Sequence, residues 1–171
     1  MKKVVIVYGL ISGAVAGALM LLTLPFMDKL EGASGYAVGY TAMILSGLLI
    51  FFGVRSYREN VGGGTISFGK GFQVGILIAL ISAVCYVGTW EFIYFKLEPD
   101  FCDKHFGAQV ERLKASGAPP EKVAEAQQQL EMMKKLLANP VTNASLAFVE
   151  PLPVGLLISL ISAWVLRRKP A

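Results

Sequence analysis

The chain has 171 residues, of which 54% are hydrophobic and only 16% are charged, and its formal net charge is +4. A soluble domain usually has about 25% charged residues, so the composition excludes an ordinary soluble protein and indicates a compact membrane protein. The basic residues concentrate near the two chain ends and in one link, which is typical of membrane topology signals and not of a nucleic-acid-binding face. We therefore expect a lipid environment and no nucleic-acid partner.

The first predicted membrane-spanning helix covers residues 4–26 and is preceded by two lysines. This apolar run is too long for the core of a secretory signal peptide, which has about 7–15 residues, so we interpret it as an uncleaved signal anchor. Glycines recur at every fourth position and therefore lie on one face of the helix, at Gly9, Gly13 and Gly17. Because glycine has no side chain, this face lets a second helix approach closely.

The second predicted span covers residues 36–54 and stops at a charged sequence that begins with Arg55. The glycine-rich link after it, residues 59–71, contains a sequence that matches the phosphate-binding pattern GxxxxGK[ST] except at the last position. Gly71 replaces the hydroxyl residue that would hold magnesium, and no strand is predicted before the loop. We therefore expect no nucleotide here.

The same link is predicted to form a flexible turn at 62–64, followed by a short segment at the membrane interface. Ile66 and Phe68 would enter the lipid boundary in this segment, while Lys70 would face the headgroups. This interpretation makes the link a connection between two spans and gives it no chemical role.

The third predicted span covers residues 72–95 and differs from the others because it contains a carboxylate among aromatic residues, Glu91. We group three of these aromatic residues with Glu91 as a candidate polar site inside the membrane: Tyr86, Trp90 and Tyr94. Small residues again recur at every fourth position, beginning with Gly71 and Gly75. This span therefore also has a face for close helix packing.

Residues 97–140 differ from the spans because they are rich in charged side chains. Counted from Lys96, seven basic and seven acidic residues cancel. Pro99 and the pair Pro119-Pro120 can each open a helix, and a Ser-Gly-Ala break separates the two, so we predict a helical hairpin. The second arm has one apolar face, formed by Val123, Ala126, Leu130, Met133 and Leu137. The hairpin is either a structural insertion or a surface that binds a protein partner or a second copy of the chain.

The fourth predicted span covers residues 143–166 and ends at a basic cluster. It contains a second carboxylate, Glu150, which is followed by Pro151 and Pro153. Because proline lacks a backbone N–H, we predict a kink or a local break at this point. Gly155 begins a third face of small residues.

Three basic clusters determine the predicted topology: one at the N-terminus, one in the link after the second span and one at the C-terminus. With four crossings all three lie on the same side, which the positive-inside rule assigns to the cytoplasm. We therefore predict an all-α, multi-pass protein of the bacterial inner membrane, with a single integral domain over residues 1–171. Its four transmembrane helices form an up-down bundle, both termini are cytoplasmic, and 97–140 is an extracytoplasmic hairpin between the third and fourth helices.

Glu91 and Glu150 are predicted to lie at similar depth, roughly 6–11 Å below the outer boundary at about 1.5 Å per residue. An isolated ionised carboxylate at this depth costs several kcal/mol, and two close carboxylates do not both ionise readily. Three alternatives follow. Each glutamate is satisfied locally and only fixes packing, or the two belong to a proton-responsive or polar-ligand site, or one of them reaches the interface.

Cys85 and Cys102 belong to an apolar and a polar stretch, so we expect them to remain unpaired. His105 has only Asp103 and Cys102 near it in sequence, which is a weak pattern for a metal. Cys102, Asp103 and His105 are also the only candidates for catalysis. We therefore expect no metal, no cofactor and no enzymatic activity.

Several short motifs are shared with a known family. The sequence Tyr57-Arg58-Glu59 precedes the glycine-rich stretch 63–72, and the aromatic pair Tyr94-Phe95 is followed by Pro99-Asp100-Phe101. Together with the four hydrophobic segments, these motifs resemble the bacterial membrane family catalogued as domain of unknown function 4199, and the resemblance covers most of the chain. It implies family membership and no catalytic residues, because no activity is established for the family.

From these features we expect a non-enzymatic integral membrane protein that acts as a small scaffold or accessory subunit through residues 97–140. The alternative is a proton-responsive transporter or channel component that uses Glu91 and Glu150. Because four helices leave a narrow path at best, this alternative requires a homo-oligomer.

Overall fold

The structure is a computed structural model that describes residues 1–29 and 33–168. Within these ranges every regular element is a helix. Four helical segments are long and apolar enough to cross a membrane: Lys2–Phe26, Ala37–Asn60, Phe68–Leu97 and Pro140–Leu166. The prediction of an all-helical chain with four membrane-spanning candidates is therefore confirmed. Part of the first predicted link and Lys169 of the C-terminal basic cluster lie outside the described residues.

The described residues form seven α-helices, and shorter 3₁₀- and π-helical segments adjoin three of them. The first half contains α1 (Lys2–Thr23), α2 (Ala33–Asn60) and α3 (Phe68–Phe92). A 3₁₀-helix, Leu24–Lys29, follows α1, and a π-helix, Ile93–Leu97, continues α3. The second half contains a π-helix, Asp103–Gly107, and then α4 (Ala108–Ala115), α5 (Pro120–Ala138), α6 (Pro140–Val149) and α7 (Leu152–Leu166).

The helix ends differ from the predicted ones where charged or polar side chains support another turn. α2 was predicted to stop before Arg55 but continues to Asn60, because Arg55 donates to Glu59 one turn later at 2.9 Å and the helix extends past the apolar stretch. α3 begins at Phe68, before the predicted start at residue 72. There the Ser67 hydroxyl oxygen accepts a hydrogen bond from the backbone N–H of Lys70, with 3.3 Å between oxygen and nitrogen, as an N-terminal capping residue does.

The described chain packs as two compact units. We call Met1–Thr89 together with the chain from Ala147 onward the bundle unit, and Trp90–Leu146 the insertion unit. That the whole chain forms one integral membrane domain stays a prediction.

In the bundle unit α2 packs against both α1 and α7. Its buried apolar core includes residues from all the long helices of the unit: Val5, Ile50, Val54, Val74, Ile78, Ala79 and Leu166. On the outside, large apolar side chains are exposed, for example Leu22 at 67% and Trp164 at 61%. A lipid environment would cover such side chains.

The glycine link differs from its predicted conformation at one important residue. Gly63 and Gly64 form the predicted turn with φ of 60° and 84°, which favour glycine. Ile66 then pairs with Arg168 in a single antiparallel bridge and is only 4% exposed, inside the bundle core. The prediction that Ile66 enters the lipid boundary is wrong, because backbone pairing with the chain's C-terminal segment turns this side chain inward. Phe68 does remain 42% exposed.

In the insertion unit α4 and α5 pack against each other, and α5 also contacts the π-helix before α4. Gly117, with φ of 67°, ends α4, and its backbone N–H bonds to the Lys114 carbonyl at 3.2 Å. Pro120 occupies the first turn of α5, where a missing N–H costs nothing. The predicted apolar face of α5 is its less exposed face, and Leu130, Met133 and Leu137 contribute to a core with aromatic side chains.

Candidate polar site in the membrane-spanning helices

The glycines of α1 place this helix very close to α3. A Cβ atom at Gly9 would lie 2.7 Å from Cβ of Ile81, and one at Gly17 would lie 2.6 Å from Oγ1 of Thr89. At Gly13 the added atom would meet Cβ and Sγ of Cys85. Any larger residue on this face would therefore force the two helices apart.

The same close approach occurs between α3 and α7. A Cβ atom at Gly75 would lie 3.0 Å from Ser159, and one at Gly155 would lie 2.9 Å from Cβ of Ala79. Gly71 faces the backbone of Ala163, 3.2 Å from its Cα. The six glycines singled out in the sequence thus all lie at helix contacts within the bundle unit.

Close packing brings three serines from three helices together in the middle of the bundle. Ser12 on α1 is 1% exposed, and its hydroxyl donates to the Ser46 carbonyl on α2 at 2.9 Å. The same hydroxyl oxygen lies 3.0 Å from Oγ of Ser82 on α3. No sequence motif pointed to this cluster, because isolated serines in apolar helices carry no spacing signal.

A second polar contact lies where the fourth span is interrupted. α6 ends at Val149 and α7 begins at Leu152, so the predicted break at Glu150 and Pro151 is confirmed. Glu150 accepts a hydrogen bond from the Tyr86 hydroxyl on α3 at 2.9 Å. Two of the predicted site residues are thus in contact.

Trp90, another residue of the predicted polar site, bonds to a side chain at the start of the fourth span. Its indole N–H donates to the side-chain carbonyl of Asn143 at 2.6 Å, and the amide of Asn143 donates to the Leu137 carbonyl at 3.1 Å. Asn143 is completely buried. No local sequence pattern indicates this role of Asn143, because it depends on tertiary packing against Trp90.

Tyr94 and Glu91 belong to the insertion unit and have different surroundings. The Tyr94 hydroxyl lies 3.5 Å from Sγ of Cys102, and both residues are buried. Oε1 of Glu91 is buried and has no hydrogen-bond partner among the described residues. The proposed approach of Glu91 to Glu150 stays a prediction.

The three residues considered for a metal or for catalysis have other partners. Cys102 is buried beside Tyr94, and the ring of His105 stacks on Phe101 with centroids 5.4 Å apart. Asp103 accepts a hydrogen bond from Lys134 on α5 at 2.6 Å, which raises the pKa of that lysine above its ordinary value. In the described ranges no three His, Cys, Asp or Glu side chains are grouped for a metal, and both cysteines are free.

Comparison with known families adds one finding. The family model described as "Protein of unknown function (DUF4199)" matches residues 7–168, nearly the whole chain, which confirms the resemblance seen in the motifs. No curated protein and no solved structure matches the chain.

Proposed function

The chain belongs to the DUF4199 family, and we propose that it is a non-enzymatic integral protein of the bacterial inner membrane that acts as a scaffold or accessory subunit. Both termini lie in the cytoplasm and residues 97–140 lie outside, as the positions of the basic clusters favour. The proposal is carried by one observation, an exposed stripe on α5 that the insertion unit itself does not cover.

The α5 stripe lies beside the face that α5 buries in its own unit. Its apolar members include Met132, which is 55% exposed, and Leu136, which is 37% exposed. The surrounding surface is an open face of α5 formed by Ala124, Gln127, Gln128, Glu131, Met132, Lys135 and Leu136. Methionine adapts its shape to different partners, and charges of both signs border the apolar residues.

This pattern fits an amphipathic helix of a protein partner. Such a helix would place apolar side chains against Met132 and Leu136 and charges opposite Glu131 and Lys135. A second copy of the chain is one protein that can supply this helix, since its own α5 has the required composition.

A pull-down of the intact chain from detergent-solubilised membranes tests the proposal. The partner should be lost from a chain lacking 97–140 and from the single variant Met132→Glu, which places a charge at an exposed site without disturbing the core. Gln109→Glu, an exposed change on α4, is the matched control and should retain the partner. If the deletion loses no partner, or if both point variants behave alike, the role of the stripe is refuted.

A second candidate function, a proton-responsive transporter or channel component, is favoured by the hydrogen bond between Tyr86 and Glu150 at the break of the fourth span. A carboxylate next to an interrupted helix is typical of polar sites inside membranes. This candidate uses Glu150 together with Glu91 and requires a homo-oligomer, because a single bundle is closely packed.

Proton flux into liposomes separates the two candidates. The transporter or channel candidate predicts a proton flux that Glu150→Gln abolishes and Glu91→Gln reduces. Met132→Glu should leave this flux unchanged. If proteoliposomes show no proton flux above protein-free controls between about pH 5 and 8, the transporter or channel candidate is refuted.

A further inference from the structure

One end of the bundle unit brings together the basic ends of its four long helices. Core residues near these ends, from Val5 on α1 to Leu166 on α7, pack in one cluster. The chain at this end comprises residues 1–8, 54–71 and 163–168. It includes seven basic side chains: Lys2, Lys3, Arg55, Arg58, Lys70, Arg167 and Arg168.

The positive charge at this end is not balanced among the described residues. Glu59 is the only acidic residue in the same three ranges, and it already accepts hydrogen bonds from Arg55 at 2.9 Å and from Arg58 at 3.1 Å. The Lys70 ammonium donates to the neutral side-chain oxygen of Gln73 at 3.0 Å, and no described carboxylate pairs with it. Lys70 and the two arginines at the end of α7 can therefore attract an anion from outside the chain.

The fold places Lys70 beside the end of α7. Ile66 and Arg168 exchange backbone hydrogen bonds at 3.0 and 2.9 Å, which joins the glycine link to the C-terminal segment. One turn into α3, a Cβ atom on Gly71 would lie 3.2 Å from Cα of Ala163 on α7. The positive-inside rule acts on each link separately and does not require two basic segments to touch. Their contact is thus a property of the fold beyond the topology signal.

Exposed apolar side chains adjoin these charges on α7. Trp164 is 61% exposed and Val165 is 54% exposed. The Arg167 guanidinium lies 5.7 Å from the ring centroid of Trp164, a contact that leaves its N–H groups able to donate. Inorganic phosphate would contact only the charges, whereas a phospholipid also places acyl chains against the apolar side chains. The combination of charges and apolar surface therefore favours a lipid.

We propose that the start of α3 and the end of α7 bind the headgroup of an anionic phospholipid. Lys70, Arg167 and Arg168 attract its phosphate, and its acyl chains lie against Trp164 and Val165. Arginine suits this role because its planar N–H groups match the oxygens of a phosphate. The site is independent of the α5 stripe, because all of its residues belong to the bundle unit.

Fluorescence quenching by brominated lipids tests the site in nanodiscs that contain the full-length protein. The chain has two tryptophans, so the contribution of Trp164 is the difference between wild-type protein and Trp164→Phe. Brominated phosphatidylglycerol in a phosphatidylcholine bilayer should bind beside Trp164 about fivefold or more tightly than brominated phosphatidylcholine, since one basic residue near an anionic lipid surface contributes about this factor. Equal quenching by the two brominated lipids at the same mole fraction would overturn the proposal.

Three single variants, each measured with and without Trp164→Phe, distinguish a site from a general effect of charge. Lys70→Gln and Arg168→Gln should each lower the preference for phosphatidylglycerol by about two- to fivefold. Arg55→Gln is the matched control, because it removes one positive charge at the same end from a residue that is paired with Glu59, and it should leave the preference unchanged. An equal loss in all three variants, or no loss in either Lys70→Gln or Arg168→Gln, would overturn the proposal.

Inorganic phosphate separates a lipid site from a site for a free anion. At about 20 mM and constant ionic strength, phosphate should leave the preference for phosphatidylglycerol unchanged, because only the lipid adds apolar contacts to the charges. If phosphate abolishes the preference and chloride does not, the three basic residues bind the free ion and the lipid proposal is wrong.

Discussion

Among single residues of the insertion unit, Asn143 has a completely buried side chain whose oxygen and nitrogen both form hydrogen bonds. Replacing it by leucine leaves the Trp90 N–H and the Leu137 carbonyl without partners. Each unpaired buried group costs about 1–3 kcal/mol, so we expect Asn143→Leu, which leaves two of them, to destabilise this unit by about 2–6 kcal/mol. Trp90→Phe leaves only one group unpaired and should cost about half as much.

Hydrogen exchange of the α5 amides in detergent measures this difference, since α5 packs in the same unit. Both variants should accelerate exchange, and Asn143→Leu should do so more. Equal exchange in Asn143→Leu and wild-type protein would contradict the structural role of this hydrogen-bonded side chain.

The glycines of α1 give a second prediction for single residues. Gly9→Ala places a Cβ atom 2.7 Å from that of Ile81, whose branched side chain cannot move away easily. We expect a loss of about 1–3 kcal/mol from overpacking, measured as a lower Tm. Gly39 on α2 has no atom within 4 Å of its added Cβ, so Gly39→Ala should be neutral or should stabilise the helix by up to about 1 kcal/mol. A lower Tm for both variants would indicate a general intolerance of alanine and not a close helix contact.

At the level of elements, the bridge between Ile66 and Arg168 connects the glycine link to the end of α7. The two residues exchange both backbone hydrogen bonds, at 3.0 and 2.9 Å, and Ile66 fills part of the bundle core. Ile66→Ala should therefore lower stability by about 2–5 kcal/mol. Phe68→Ala, two residues later and 42% exposed, should have a small effect in detergent. If Phe68→Ala is the more damaging change in thermal unfolding, Ile66 does not belong to the core.

The ion pair between Asp103 and Lys134 gives a pH-dependent prediction. The hydrogen bond with Asp103 raises the pKa of Lys134 above its ordinary value of 10.5 in the folded protein. A raised pKa stabilises the fold while the lysine is charged, and this contribution is lost as the pH rises through the raised pKa. Lys134→Gln should therefore lower the Tm at pH 7, and the difference from wild type should shrink as the pH rises above 10.5 and disappear above the raised pKa. Lys122→Gln, a change of the same kind on the same exposed helix, is the control, and a Tm profile that matches that of Lys134→Gln at every pH would refute the role of the Asp103–Lys134 pair.

The sequence predicts the elements well where a pattern is local. Long apolar runs identify the four spans, the apolar period of α5 identifies its buried face, and Pro151 identifies the break in the fourth span. It does not identify contacts that require distant segments to meet. The placements of Ile66, of Asn143 and of the Ser12–Ser82 pair all depend on such contacts, because a single isoleucine, asparagine or serine has the same local pattern in many environments.

At the level of the whole molecule, one physical constraint explains why the polar side chains of the bundle unit bond to each other. A helix bundle in lipid must satisfy its polar atoms internally, because no water is available. Small residues bring α1, α3 and α7 close enough for this, and the Ser12 and Tyr86 hydroxyls then bond across helices. Close packing and polar chemistry therefore depend on each other, and enlarging a glycine such as Gly13 should also disturb the serine contacts.

The predicted orientation in the membrane can be tested on the whole chain with single cysteines. In a background of Cys85→Ala and Cys102→Ala, Gln128→Cys places a thiol on exposed α5, and Val61→Cys places one in the glycine link, where the native residue is 50% exposed. Because basic clusters are retained in the cytoplasm, a membrane-impermeant maleimide added to spheroplasts should label Gln128→Cys at once and Val61→Cys only after lysis. The reverse order would place the α5 stripe in the cytoplasm, and a partner for it would then have to be sought there.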